Sequence, residues 1–283
     1  MAQDSAAPQP APYGAAPRIK RTTVRDVQAY KDRGERFAML TSYDRQTASV
    51  FDEAGIPIVL VGDSAGNNVL AYDDTLPVTV EEMLSMCRAV VRGAPHAMVV
   101  GDLPFGSYQE GPAQALHTAV RFVKEAGVQG VKLEGGLNVV PSVHAIVAAG
   151  IPVMAHIGFT PQSLHAFGGY RVQGRGENGE RLHADALALA EAGAFAIVLE
   201  MVPADVASRV TASVPVPTIG IGAGPDCDGQ VLVWTDMAGL TPEPRPKLVK
   251  AYADLRTTLR DAASAYAAEV RDGVFPGPDQ TYE

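Results

Sequence analysis

Eight short runs rich in Val, Ile and Leu recur along this chain, and stretches of helical character separate most of them. Such a run without polar alternation reads as a strand buried on both faces, and parallel neighbours need a long crossover, usually a helix, between them. The spacing predicts strands over 37–42 (FAMLTS), 56–63 (IPIVLVGD), 96–102 (HAMVVGD), 128–134 (VQGVKLE), 151–157 (IPVMAHI), 195–200 (FAIVLE), 217–223 (PTIGIGA) and 230–234 (QVLVW). Helices are predicted over 44–55, with Gly55 as the stop, over 79–93, with Thr79 as N-cap, and over 245–271. Periodicity allows an open doubly wound sheet as well as a closed barrel. Eight strands fit the barrel, and the fold class expected is a single-domain α/β (β/α)8 TIM barrel.

With 47% hydrophobic residues in 283, the chain can bury one large core. Residues 1–17, made of Ala, Pro and small polar residues, lack an apolar period and read as a disordered tail. Residues 18–283 are then the catalytic barrel with extra helices at both ends. The formal charge of −9, with no basic cluster beyond RIKR at 18–21, argues against a nucleic-acid or anionic-membrane partner and for small molecules. No apolar run has the length of a membrane span, and no signal-peptide order is present, so a cytoplasmic location is expected. Cys87 and Cys227 have neither CxxC nor Cys/His spacing, which points to free thiols.

Polar residues stand where the predicted strands end. Asp63, Asp102, Glu134, His156 and Glu200 all mark the C-terminal rim, the face that carries the active site in both α/β architectures. Asp63, Asp102 and Glu134 would converge on one mouth of a closed barrel. Hard oxygen donors without a thiolate or several histidines suit Mg²⁺, which keeps waters and accepts substrate oxygens. Any one of these carboxylates, alone, would more readily be explained as a helix cap.

Lys132 precedes Glu134 by two residues, so both point to one face of a strand. It could meet a substrate carboxylate or keto oxygen, or simply pair with Glu134. His156 ends a strand before a long Gly- and Pro-containing loop and could bond a substrate oxygen or be structural. Glu200, after an apolar run, suits a partly desolvated general base for enolisation, or a glutamate that reaches solvent. GIGAG at 220–224 lacks the spacing of either nucleotide-binding glycine loop and carries little on its own.

Long ordered strings narrow this reading. VGDSAGNNVLAYDDTLPVTVEEM (61–83), GDLPFGSY (101–108), VKLEGG (131–136), AHIGFTPQSLHAFGGYRVQGR (155–175), LEMVPADVA (199–207) and IGIGAGPDCDGQVLVWTDMAGL (219–240) resemble the ketopantoate hydroxymethyltransferase family from about residue 18 onward. The resemblance implies a (β/α)8 barrel, a Mg²⁺ requirement, and transfer of the methylene of 5,10-methylenetetrahydrofolate to 3-methyl-2-oxobutanoate, giving 2-dehydropantoate. It implies that Asp63, Asp102 and Glu134 surround the metal, and that Asp63, Ser64, Asp102 and Lys132 contact the keto acid. Glu200 matches the proton acceptor and His156 a pocket histidine. A homo-oligomer, often a decamer, is implied as well. The sequence departs from the family pattern at Asn67, Asn68 and Tyr72–Asp74.

Two other readings compete. A phosphoenolpyruvate mutase or isocitrate lyase relative would also place Mg²⁺ and an enolate at a barrel mouth, but neither cysteine lies in a KxxCG-like setting. A catalytically silent binding barrel would have little use for carboxylates crowded without a cation.

Overall fold

The structure, a computed structural model, describes residues 20–282; the tail expected over 1–17 lies outside the described residues. Eight parallel strands close on themselves in chain order. They are β1 (Phe37–Thr41), β2 (Ile58–Val61), β3 (Met98–Asp102), β4 (Gly130–Glu134), β5 (Val153–Gly158), β6 (Ala196–Glu200), β7 (Thr218–Ile221) and β8 (Gly229–Leu232). All eight expected strands are present, with slightly different ends, and β8 pairs back onto β1. The fold is a (β/α)8 barrel.

Local chemistry sets the helix starts. Asp44 caps the helix Arg45–Glu53 by accepting from the backbone of Gln46 and Thr47, and Gly55 leaves it with φ +78°. Thr79 and Glu82 form a capping box on the helix Val80–Gly93, each side chain accepting the other's backbone N–H. The last helix corrects the sequence reading: it runs over Leu255–Arg271, not from 245. The backbone before it is bonded elsewhere, Tyr252 N donating to Met237 O at 2.8 Å and Leu255 N to Ala238 O at 3.0 Å, and Asp254 supplies the cap by accepting from Thr257 N.

Strand alternation divides the core in two. Val59, Val99, Val131, Leu133, Ile197 and Leu199 face the surrounding helices, whereas Met39, Ile58, Met98, Val100, Met154 and Val198 fill the barrel. The helix Val24–Asp32 closes the bottom: Val27 is wholly buried in the interior cluster, and nearby Arg21 donates to Ala97 O at 2.7 Å. The C-terminal rim is therefore the face on which a site can be built. Cys87 and Cys227 are both buried free thiols. Among the described residues no helix is long and apolar enough to cross a membrane.

Candidate active site

The inward parity of β3 to β6 gives the barrel an apolar floor and a charged upper layer. Above Val100, Met154 and Val198 stand Asp102, His156 and Glu200, each two residues further along its strand. Lys132 and Glu134 occupy the matching positions of β4. Register puts Asp102 beside Lys132 and Glu134 beside His156. Asp63 joins from the turn after β2 through its backbone N–H, which donates to Asp102 Oδ2 at 3.2 Å.

These side chains form a row of alternating charge. Lys132 Nζ donates to Asp102 Oδ1 and Oδ2 at 2.8 and 2.7 Å and lies 3.5 Å from Glu134 Oε1. His156 follows, with Nδ1 3.3 Å from Glu134 Oε1 and Nε2 3.4 Å from Glu200 Oε2. The two histidine contacts are charge contacts rather than aligned hydrogen bonds, since neither ring nitrogen nor Glu134 Oε1 has a hydrogen-bond partner of good geometry. Glu134 and His156 side chains are 2% and 3% exposed, whereas Glu200 keeps 17% of its side chain accessible.

Burial and like charge work together on the carboxylates. Burial, reinforced by Asp102 and Glu134, holds the Asp63 carboxyl well above the ordinary carboxylate range. Asp102 is also raised, by burial first, although Lys132 opposes this. Burial pushes Glu134 the same way, but Lys132 and His156 outweigh it and leave this carboxyl below its usual value. His156 is pushed up to about 9: burial and Lys132 disfavour its cation, and the flanking Glu134 and Glu200 more than offset them. Lys132 is driven above the usual ammonium range because three carboxylates outweigh its desolvation.

Asp63, Asp102 and Glu134 thus bring excess negative charge and hard oxygen donors into one buried place, a chemistry that fits a magnesium-sized cation. Among the described residues, no three His, Cys, Asp or Glu side chains form a ready-made metal cluster. Asp63 Oδ2 is occupied by Gln162 Nε2 at 2.9 Å, and Asp102 is turned toward Lys132.

Ser64 stands apart from this row. Its hydroxyl bonds the buried Tyr43 hydroxyl at 2.9 Å. The sequence reading missed Tyr43, and it missed Gln162 and Tyr108, which meet over the carboxylates: Tyr108 donates to Gln162 Oε1 at 2.6 Å. The residues that depart from the family pattern are satisfied locally. Asn67 donates to the carbonyls of Tyr72 and Asp73, Asn68 donates to Ser64 O and accepts from Thr235, and Tyr72 donates to Glu82. GIGAG serves geometry: a Cβ on Gly224, at φ +82°, would meet that of Ala204 at 2.5 Å.

Beside the row lies a cleft of about 570 Å³, with Phe105, Tyr108, Arg181 and Asp185 among its walls and Glu134 and Gln162 at its inner end. The loop after β5, residues 159–175, forms another wall. It contains a 3-10 turn over Pro161–Ser163 and a short helix over Leu164–Phe167, and it folds back so that Tyr170 stacks 5.0 Å from Phe159.

Gly158 fixes the spacing of β5 and β6 at the base. It adopts φ +95°, and a Cβ there would lie 2.3 Å from Glu200 O. Gly158→Ala is expected to cost on the order of 3 kcal/mol, combining backbone strain with overpacking. A denaturant midpoint equal to the wild type would contradict this.

The ketopantoate hydroxymethyltransferase family model matches residues 21–278. The 3-methyl-2-oxobutanoate hydroxymethyltransferase of Frankia alni (strain DSM 45986 / CECT 9034 / ACN14a) is 64% identical over 275 residues, covering 95% of this chain and 91% of the relative. The chain belongs to this family. The enzyme of the same name from Acidothermus cellulolyticus (strain ATCC 43068 / DSM 8971 / 11B) is 64% identical over 263 residues, 93% of this chain and 97% of the relative. Membership in the ketopantoate hydroxymethyltransferase family makes the chain a transferase. Similar solved structures include a phosphonopyruvate hydrolase complexed with oxalate and Mg²⁺, at TM-score 0.57 and 17% identity over 91% of this chain and 92% of that one. A 2,3-dimethylmalate lyase of the PEP mutase/isocitrate lyase superfamily reaches TM-score 0.56 at 16% identity, covering 92% and 91%. At such identities the likeness speaks for the barrel alone.

Proposed function

We propose that this chain transfers a hydroxymethyl unit from 5,10-methylenetetrahydrofolate to 3-methyl-2-oxobutanoate, forming 2-dehydropantoate on the way to pantothenate. The observation that carries this reading is the buried row from Asp102 through Lys132, Glu134 and His156 to Glu200. One end offers oxygens and an ammonium for an α-keto acid; the other offers the least buried carboxylate. An Mg²⁺ held by Asp63 and Asp102, with Glu134 beside them, would polarise the keto group and stabilise the negative charge that enolisation develops.

The remaining steps belong to the chain's own side chains. Lys132 and Ser64 hold the keto acid, and Lys132 adds positive charge near the oxygen where charge develops. Glu200 takes the proton from C3, and His156, whose Nε2 lies 3.4 Å from Glu200 Oε2, flanks it on the barrel side. The enolate carbon then attacks the folate methylene, forming a C–C bond as one methylene C–N bond passes its electrons to nitrogen; water then replaces the second C–N bond, supplying the hydroxyl and releasing tetrahydrofolate. The cleft next to Glu134 and Gln162 supports this part of the reading, because it gives a second, larger substrate room beside the keto-acid end. The loop after β5, over 159–175, serves as the lid that keeps water from the electrophile until the C–C bond has formed.

A homo-oligomer completes the proposal. No residue of the helix Leu255–Arg271 is buried, and Leu259, Tyr266 and Val270 are exposed along it, which supports a partner subunit covering that face.

Purified protein supplied with Mg²⁺, methylenetetrahydrofolate and 3-methyl-2-oxobutanoate is expected to release 2-dehydropantoate, followed by mass spectrometry. No product across divalent metals and pH would overturn the proposal, and cleavage of the keto acid without folate would favour the lyase reading.

A further inference from the structure

Gln162 makes more buried polar contacts than any role given so far requires. Its Nε2 donates to Asp63 Oδ2 at 2.9 Å and to Leu103 O at 3.0 Å. Its Oε1 accepts from Tyr108 Oη at 2.6 Å and from Gln109 Nε2 at 3.4 Å. Its backbone N–H donates to Glu134 Oε2 at 2.9 Å. This residue of the loop after β5 therefore contacts the segment after β2, the loop after β3 and the end of β4, and the residue is 6% exposed.

The amide can sit only one way round. The carbonyl of Leu103 is an acceptor only, so it requires the NH₂ end, which is then also the end that meets Asp63 Oδ2. Tyr108 is anchored in turn: its hydroxyl accepts from Glu134 N at 3.2 Å and has two acceptors for its proton, Glu134 O at 3.2 Å and Gln162 Oε1 at 2.6 Å, of which the shorter contact is to Gln162. A flipped amide would set Oε1 against the carbonyl of Leu103 and its NH₂ group against the Tyr108 hydroxyl in a buried place, at the cost of unsatisfied polar atoms. The turn over Pro161–Ser163 starts with proline and holds the backbone from which the side chain reaches.

We propose that Gln162 is a positioning residue for Asp63: it fixes the carboxylate rotamer by occupying Oδ2 and leaves Oδ1 to face the keto-acid end. The fixed orientation ties the β5 loop to the metal-binding carboxylates, so that ordering of the loop and ordering of Asp63 occur together. Without the amide, the Asp63 carboxyl would lose the donor on Oδ2 and have rotamers to choose from. This inference rests on the magnesium reading above.

The test is calorimetric Mg²⁺ binding in the presence of 3-methyl-2-oxobutanoate without folate, on wild type, Gln162→Met and Gln162→Glu, with thermal melts alongside. Gln162→Met keeps the side-chain length and the backbone bond to Glu134 but loses the amide; it is expected to bind Mg²⁺ 10- to 100-fold more weakly, about the effect of losing an outer partner of a metal ligand. Gln162→Glu places a carboxylate against Asp63 and should bind more weakly still. Gln162→Met binding within twofold of wild type would overturn the positioning role. Should Gln162→Met fail to fold, Tyr108→Phe, which unlocks the amide and leaves it in place, is expected to weaken Mg²⁺ binding in the same direction, and unchanged affinity would overturn the role equally. No Mg²⁺ binding by wild type would instead overturn the magnesium reading, and the inference would fall with it.

Discussion

Glu200→Gln is expected to slow exchange of the C3 proton of 3-methyl-2-oxobutanoate with solvent by on the order of 100- to 10,000-fold, the usual contribution of a positioned general base. Binding of the keto acid should remain close to wild type. Glutamine preserves the volume and still offers an oxygen to His156 Nε2, 3.4 Å away in the native arrangement, so the row of charge is disturbed only at its end. What it lacks is the capacity to accept a proton. The other carboxylates are poorly placed for that duty: Glu134 lies beside Lys132 and His156, Asp102 is bonded twice by Lys132, and Asp63 Oδ2 is held by Gln162. Exchange followed by proton NMR in deuterated water separates this step from methylene transfer, because it needs no folate. A native exchange rate in the variant would place the base elsewhere.

Much of this arrangement is legible in the sequence for a simple reason. Strand alternation has a period of two, so once the apolar runs are recognised the inward positions at their ends follow, and Asp102, Lys132, Glu134, His156 and Glu200 are all such positions. Partnerships across strands were less legible because they depend on register. Lys132 could be matched with Glu134 from spacing alone, yet the β3–β4 register gives it Asp102 at 2.7 Å and leaves Glu134 at 3.5 Å. His156 spans Glu134 and Glu200 only because β4, β5 and β6 align as they do. Gln162 escaped notice although GFTPQS was among the telling strings, since nothing local says that a loop glutamine turns inward to an aspartate nearly a hundred residues earlier. The final helix starts ten residues later than expected because Tyr252 and Leu255 give their backbone N–H groups to Met237 O and Ala238 O, long-range bonds that no local pattern announces.

Lys132→Met should be the most destabilising change in the site, by about 3–5 kcal/mol, the cost of removing one partner from a buried ion pair. Against a total stability of about 5–15 kcal/mol this is a large share. The methylene stem of lysine would be matched by methionine, so the loss is one of charge. Asp102 would lose both of its hydrogen bonds from Nζ, and Asp63 and Glu134 would lose their shared cation. The sign of the pH dependence follows. Burial already raises the Asp102 and Asp63 carboxyls, and without Lys132 they rise further. For a carboxyl whose folded pKa exceeds its unfolded value, the stability contribution is fully present below the unfolded value and is lost as pH rises through the folded one. In wild type, Lys132 is held above the ordinary ammonium range and stays charged throughout neutral pH, so the difference between the two proteins comes from the carboxylates. The variant's deficit should therefore be large at about pH 8 and should shrink at about pH 5, where protonation removes the uncompensated charge. Urea unfolding of both proteins at the two pH values measures this directly. A deficit that is absent at the higher pH, or that grows on acidification, would mean that Lys132 does not hold these carboxylates together.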